Sequence, residues 1–122
     1  MTIRESAEDY LEAMLMMRER HGYIRSVDVS EQLGVTKPSV SYAVKRLREN
    51  GYLLMDADGR ITLTDRGEAI AQRIYERHRV LTEYLIEIGV PEEKAREDAC
   101  KIEHDICDET FSAIRALVKK RV

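Results

Sequence analysis

Apolar residues recur along most of this chain at the spacing of helices, with one interruption where the period changes. Leu11, Met14 and Leu15 fall on one face of a first predicted helix, because residues three and four apart are neighbours on a 3.6-residue turn. Ser6 is a candidate N-cap, Asp9 three residues on suits a capping box, and Gly22 is a natural stop. A second short helix starts at Ser26 and buries Val29 and Leu33, with Gly34 supplying the turn. A third follows at once. Thr36 can cap it, Pro38 is tolerated in its first turn, Val40, Val44 and Leu47 face inward, and Asn50 and Gly51 end it.

The period then shortens. Residues 52–55 and 61–63 are apolar runs on either side of Asp56-Ala57-Asp58-Gly59, and Asp-Gly between such runs signals a hairpin. Thr64 and Asp65 cap a long helix, along which Ile70, Ile74, Leu81, Leu85 and Ile88 hold one stripe until Gly89 and Pro91 break it. That helix is longer than a small core requires, so the pattern predicts that it packs against something besides its own domain. Two more helices are expected over 92–105 and 109–120, the first presenting Ala95, Ala99, Ile102 and Ile106.

Helix, helix, tight turn, helix and hairpin make a winged helix-turn-helix, whose second short helix projects into a major groove about 12 Å wide. At about 100° per residue, Pro38, Ser41, Tyr42 and Lys45 lie opposite the buried stripe, flanked by Ser39 and Arg46. With Thr36 and Lys37 at the helix start, they form a candidate DNA-reading face of short hydroxyls and basic side chains. Arg60 at the hairpin is a candidate backbone or minor-groove contact. The expected architecture is mainly α: a winged helix-turn-helix domain over 1–70, with its wing at about 53–63, then an all-helical domain over 71–122.

Composition at first opposes a nucleic-acid partner, since the 122 residues carry a net charge of −3. Divided along the chain, the objection weakens. Residues 25–60 hold six basic and five acidic side chains, four of the basic ones within 37–48, whereas 92–109 holds eight acidic and three basic. What matters for DNA is the local basic patch. The longest fully apolar stretch is 13–17, far short of the roughly 18 residues of a membrane span, and the acidic start has no signal-peptide pattern. A cytoplasmic protein with no membrane association is the expectation. Two cysteines, Cys100 and Cys107, are too few for a disulfide framework.

The acidic part also carries metal-ligand types. Cys100, Glu103 and His104 sit at i, i+3 and i+4 of one predicted helix and should converge on one face. Thiolate, carboxylate and imidazole are the side-chain classes that bind transition metals. His78, between Ile74 and Leu81, is expected to face inward, and Asp9 and Glu12 share a face of the first helix. Each has a plainer reading: a cap for Asp9, a solvated charge for Glu12, a hydrogen-bonded core histidine for His78, a small buried hydrophobe for Cys100. Jointly, three helices bring inward-facing ligand types, and buried carboxylates need a cation or must be neutralised.

With these residues in view, the chain resembles the diphtheria-toxin-repressor and manganese-transport-regulator family of metal-activated repressors. The resemblance rests on EDYLE at 8–12, TKPSVSYAVKRL at 36–47, RHRVLTEYL around His78, IGV before Pro91 and EDACKIEH ending at His104, in the family's order over nearly the whole chain. It implies metal positions at Asp9, Glu12, His78, Cys100, Glu103 and His104, and a recognition helix over 36–46. Departures matter as well. Asp9 matches the manganese branch, where the iron branch typically has Met, whereas Cys100 matches the iron branch, where the manganese branch typically has Glu. Arg96 and Thr82 stand where the iron branch has ancillary ligands, so a second site is not expected, and the chain stops at Val122 without the SH3-like domain of longer members. Cys107 stands where the family often has a helix-capping Ser and is expected to be structural.

The resulting expectation is a homodimeric repressor controlling metal homeostasis, activated by Mn²⁺ or else Fe²⁺, with Co²⁺ or Zn²⁺ as in-vitro substitutes, on pseudo-palindromic double-stranded DNA. The latter part of the chain then becomes the dimerisation and metal-binding domain. A metal-independent winged-helix regulator is the alternative. A small metalloenzyme is a third reading, but no H-E-x-x-H motif or nucleophile and base pair is present, and a non-enzyme is expected.

Overall fold

A computed structural model describes residues 5–120. In chain order the elements are α1 (Glu5–His21), α2 (Ser26–Leu33), α3 (Lys37–Glu49), β1 (Leu53–Met55), β2 (Ile61–Leu63), α4 (Asp65–Glu87), α5 (Glu92–Ile102) and α6 (Asp108–Lys120). The fold is mainly α with one two-stranded antiparallel sheet. Contacts divide it into two compact units, Met1–Gln72 and Arg73–Val122, with the boundary inside α4.

In the first unit, α1 packs on α2 and α3, and α3 packs on β1. Leu11, Met14, Leu15, Val29, Val40, Val44 and Leu47 are buried, each contributing about 1.5–3 kcal/mol. Ser6 lies inside α1, which is described from Glu5, and not at the expected position before the helix. Leu33 is half-buried where full burial was expected. Gly34 ends α2 in the left-handed region, with φ 66°, which an L side chain tolerates poorly. Two residues later Thr36 Oγ1 accepts the Ser39 N–H at 3.3 Å and starts α3.

The hairpin pairs Leu53 with Leu63, Leu54 with Thr62 and Met55 with Ile61. Asp56 Oδ1 accepts the backbone N–H groups of Asp58 and Arg60, each at 2.9 Å, and Gly59 takes φ 80°. A third short segment joins the sheet, where Ile61 N–H donates to the Ile24 carbonyl and Arg25 bridges Arg60. Thr64 Oγ1 accepts the Gly67 N–H and caps α4. A Cβ on Gly67 would stand 2.0 Å from the Tyr52 carbonyl oxygen, so only glycine allows this approach.

The second unit has a smaller core of Ile74, Leu81, Ala95, Ala99, Phe111 and Val118. The stripe expected on α4 is interrupted: Ile70 and Leu85 are half-buried, Ile88 is exposed, and Arg77 is fully buried between Ile74 and Leu81. Helix α5 is shorter than expected. Its apolar positions are alanines, and it gives way at Glu103 to a turn over 103–105. Ile106 therefore lies beyond the helix.

Candidate functional site

Thr36, Lys37, Pro38, Ser39, Ser41, Tyr42, Lys45 and Arg46 are all exposed, on the side of α3 away from its buried valines and leucine. Tyr42 is 63% exposed, a large aromatic left in solvent on a helix whose other face is fully packed. Arg46, one turn on, donates from Nη1 to the Tyr42 hydroxyl at 3.0 Å and lies 5.7 Å from its ring centroid. Such a pair holds the guanidinium in place with its remaining donors outward. Ser26, Lys45 and Arg48 help line a shallow concavity that Met55 closes on the hairpin side.

Arg60 is exposed at the loop end of the hairpin, directly before β2. Its guanidinium lies 5.5 Å from the Tyr23 ring, and that of Arg25 lies 6.0 Å from the same ring. Arg25 also donates to the Asp58 carbonyl at 3.2 Å. Tyr23 and Arg25 did not stand out in the sequence because their link to Arg60 runs through a single backbone bridge, which no periodicity announces.

A donor cluster occupies the second unit. Glu103 is fully buried. His78 Nδ1 lies 3.0 Å from Glu103 Oε2, and His104 Nε2 lies 3.5 Å from Oε1. Each carboxylate oxygen thus faces an imidazole nitrogen. Cys100 and Glu103 bring ligand atoms within 4.8 Å of one another. Nitrogen, oxygen and sulfur donors converging on one carboxylate fit a divalent transition metal, for which imidazole, carboxylate and thiolate are the usual protein ligands. Two details correct the expectation. Cys100 is exposed and not buried, and Glu103 and His104 lie in the turn after α5 and not on the helix itself. The cluster survives because Glu103 keeps right-handed helical geometry, φ −56° and ψ −24°, and its N–H still bonds the Ala99 carbonyl.

In the first unit, Asp9 and Glu12 stand one turn apart on α1, Asp9 half-buried and Glu12 6% exposed. Burial of Glu12 replaces the solvated charge that a lone glutamate suggested. Cys107, before the first residue of α6, shares a hydrogen bond with the Thr110 hydroxyl at 3.4 Å. That bond, with backbone N–H groups at the helix start, holds the thiol below its usual range. The sequence missed Arg77, whose guanidinium donates to the carbonyls of Glu103 and Ile106 and to Asp108.

Two family models match the two parts of the chain. Residues 2–59 match the family model of the iron dependent repressor N-terminal DNA binding domain, and 64–121 that of the iron dependent repressor metal binding and dimerisation domain. The chain is 37% identical over 117 residues to the transcriptional regulator MntR of Escherichia coli O6:H1, covering 96% of this chain and 76% of that protein. It is also 37% identical over 114 residues to the HTH-type transcriptional regulator MntR of Bacillus subtilis strain 168, covering 93% and 80%. Among solved structures, a manganese-dependent transcriptional repressor in complex with manganese aligns with TM-score 0.83 and 28% identity over 93% of this chain. The present chain spans 52% of that solved one. By both family models and by these identities, the chain belongs to the iron-dependent repressor family of metal-dependent, DNA-binding transcriptional regulators.

Proposed function

We propose that this chain is a metal-activated transcriptional repressor that binds duplex DNA as a homodimer, with Mn²⁺ as its signal and Fe²⁺ as the alternative. The observation that carries the reading is Glu103, a buried carboxylate with His78 on one oxygen and His104 on the other. His78, Cys100, Glu103 and His104 supply the second unit's ligands, and Asp9 and Glu12 supply the first unit's. A divalent metal bound by these residues would supply the positive charge that their carboxylates otherwise lack. Metal binding that favours one arrangement of the dimer over others would shift its population by as much as the metal's affinities for them differ. That arrangement sets the spacing of the two α3 helices of a dimer on a pseudo-palindromic operator.

Several features support the parts of this reading. Three of the six ligands are hard carboxylates, which suit Mn²⁺, while the Cys100 sulfur favours Fe²⁺, Co²⁺ or Zn²⁺. The solved structure named above is a manganese-dependent transcriptional repressor in complex with manganese. Ile86, Ile88 and Leu117 are exposed in the second unit and suit a two-fold interface. Thr36, Lys37, Pro38, Ser39, Ser41, Tyr42, Lys45, Arg46 and Arg60 are the proposed DNA contacts. No helix among the described residues is long and apolar enough to cross a membrane, and the reading places the protein with the DNA in the cytoplasm. The deciding experiment is an electrophoretic shift on the protein's own promoter region with EDTA, then with added Mn²⁺ or Fe²⁺. Affinity should rise with metal; equal affinity in both conditions sinks the proposal.

A further inference from the structure

Arg77 precedes His78 on α4 and is 2% exposed. A guanidinium reaches such a position only when its donors are satisfied. Nη1 donates to the Glu103 carbonyl at 3.0 Å and to the Ile106 carbonyl at 2.7 Å, and Nη2 donates to Asp108 Oδ1. The guanidinium carbon lies 5.2 Å from the Phe111 ring centroid. Asp108 is 80% exposed, so water screens much of its charge from Arg77. Two of the three bonds go to main-chain carbonyls at and beyond the end of α5, where a helix leaves acceptors without partners and its dipole favours a cation.

The turn closed in this way is the one that carries the donor cluster. Glu103 is gripped at both ends by consecutive residues of α4: His78 faces its carboxylate, and Arg77 holds its carbonyl. His104 follows directly, and the bond to Ile106 fixes the far side of the same turn. Glu103 keeps a last helical bond to the Ala99 carbonyl, but the chain leaves the regular helix there. Past that point Arg77 holds the turn through the Glu103 and Ile106 carbonyls.

We propose that Arg77 is a positioning residue of the metal centre, setting metal affinity by fixing the 103–106 turn without touching the metal. The inference rests on the metal reading above. Ligands must be held within about 0.5 Å of productive geometry, and loss of a group that orients a ligand typically lowers metal affinity about 10- to 100-fold. A lysine offers a point charge where arginine offers a planar fork, so it can reach only part of this set of acceptors.

The test measures Mn²⁺ affinity of the full chain by calorimetry, together with the visible absorption of Co²⁺-loaded protein, which reports ligand geometry. Arg77→Met should bind Mn²⁺ about 10- to 100-fold more weakly than wild type and change the Co²⁺ spectrum. Arg77→Lys should recover part of both. Val118→Ala, a core change on α6, should lower Tm without altering either. A folded Arg77→Met protein with wild-type affinity and spectrum overturns the inference, as does a Val118→Ala protein that loses as much affinity for the same loss of Tm. Should Arg77→Met not fold, Arg77→Lys decides alone: weakened binding supports the inference and unchanged binding overturns it. Wild-type protein that binds no Mn²⁺ overturns the metal reading and this inference with it, a result distinct from unchanged binding in the variants.

Discussion

Helices α3 and α5 are of similar length, 13 and 11 residues, yet they put opposite parts of themselves to use. Helix α3 buries Val40, Val44 and Leu47 and leaves its hydroxyls, Tyr42 and Lys45 in solvent. Its proposed chemistry is whatever packing does not consume, so the apolar stripe locates the reading face by subtraction. Helix α5 buries only Ala95 and Ala99, and what matters follows its end, where Glu103 is itself buried. There the chemistry is inside, held by polar groups that an apolar period does not register. A surface that reads DNA can be found from what the core leaves out, whereas a buried metal centre has to be found from the identity of its donors.

The sharpest way to break this comparison is to remove the donor that both histidines share. Glu103→Gln keeps the shape and removes the charge, and Mn²⁺ affinity should fall by more than about 100-fold, beyond the loss typical of groups that only orient a ligand. Metal-free DNA binding by α3 should not change. Calorimetry and the electrophoretic shift measure the two quantities separately, and a parallel loss of both would show that the reading face depends on Glu103 in a way the contrast denies.

Gly67→Ala tests the first unit's packing. The added methyl would meet the Tyr52 carbonyl at 2.0 Å, and overpacking of this kind costs about 2 kcal/mol or more. Thermal unfolding should show a clear drop in Tm, while Mn²⁺ affinity measured well below Tm stays near wild type. An unchanged Tm would mean that the start of α4 moves away from Tyr52 at little cost.

Lys45→Ala probes the outer face of α3 with a smaller effect. DNA affinity should weaken about equally across sequences, and the slope of log affinity against log salt should fall by about 1. A change in sequence preference at constant slope would instead make Lys45 a base-reading residue.

How much of this was legible in the sequence follows from the same contrast. The order of elements, the caps Thr36 and Thr64 and the buried stripe of α3 are local features, and local patterns specify them. Ser6 fell inside the helix because helix ends vary by one or two residues from what a local cap pattern marks. The early end of α5 and the burial of Arg77 were not legible, for one shared reason. An arginine 26 positions away from Glu103 takes over acceptors that another helical turn would have used. The six metal-ligand types could be named from their chemistry, but the exposure of Cys100 beside a fully buried Glu103 could not, because an i, i+3, i+4 spacing says which residues share a face and not how deeply each is covered.

The smallest expected effect concerns a single ion pair in the first unit, and its sign with pH can be worked out. Arg18 donates twice to Glu68, at 2.8 and 2.6 Å, linking α1 to the first turn of α4. The Arg18 guanidinium, with help from Gln72, holds the Glu68 carboxyl below its usual range. A carboxyl lowered by folding adds stability that is fully present above its unfolded value of about 4.3 and declines as pH falls through the lower folded value. Both side chains are more than a third exposed, so solvent limits the contribution to at most about 1 kcal/mol. Glu68→Gln should therefore lower Tm slightly at pH 7, the gap from wild type should close as pH drops below about 4, and added salt should narrow it at neutral pH. A gap that stays constant from pH 7 to pH 3 would assign the loss to packing of the side chain and not to its charge.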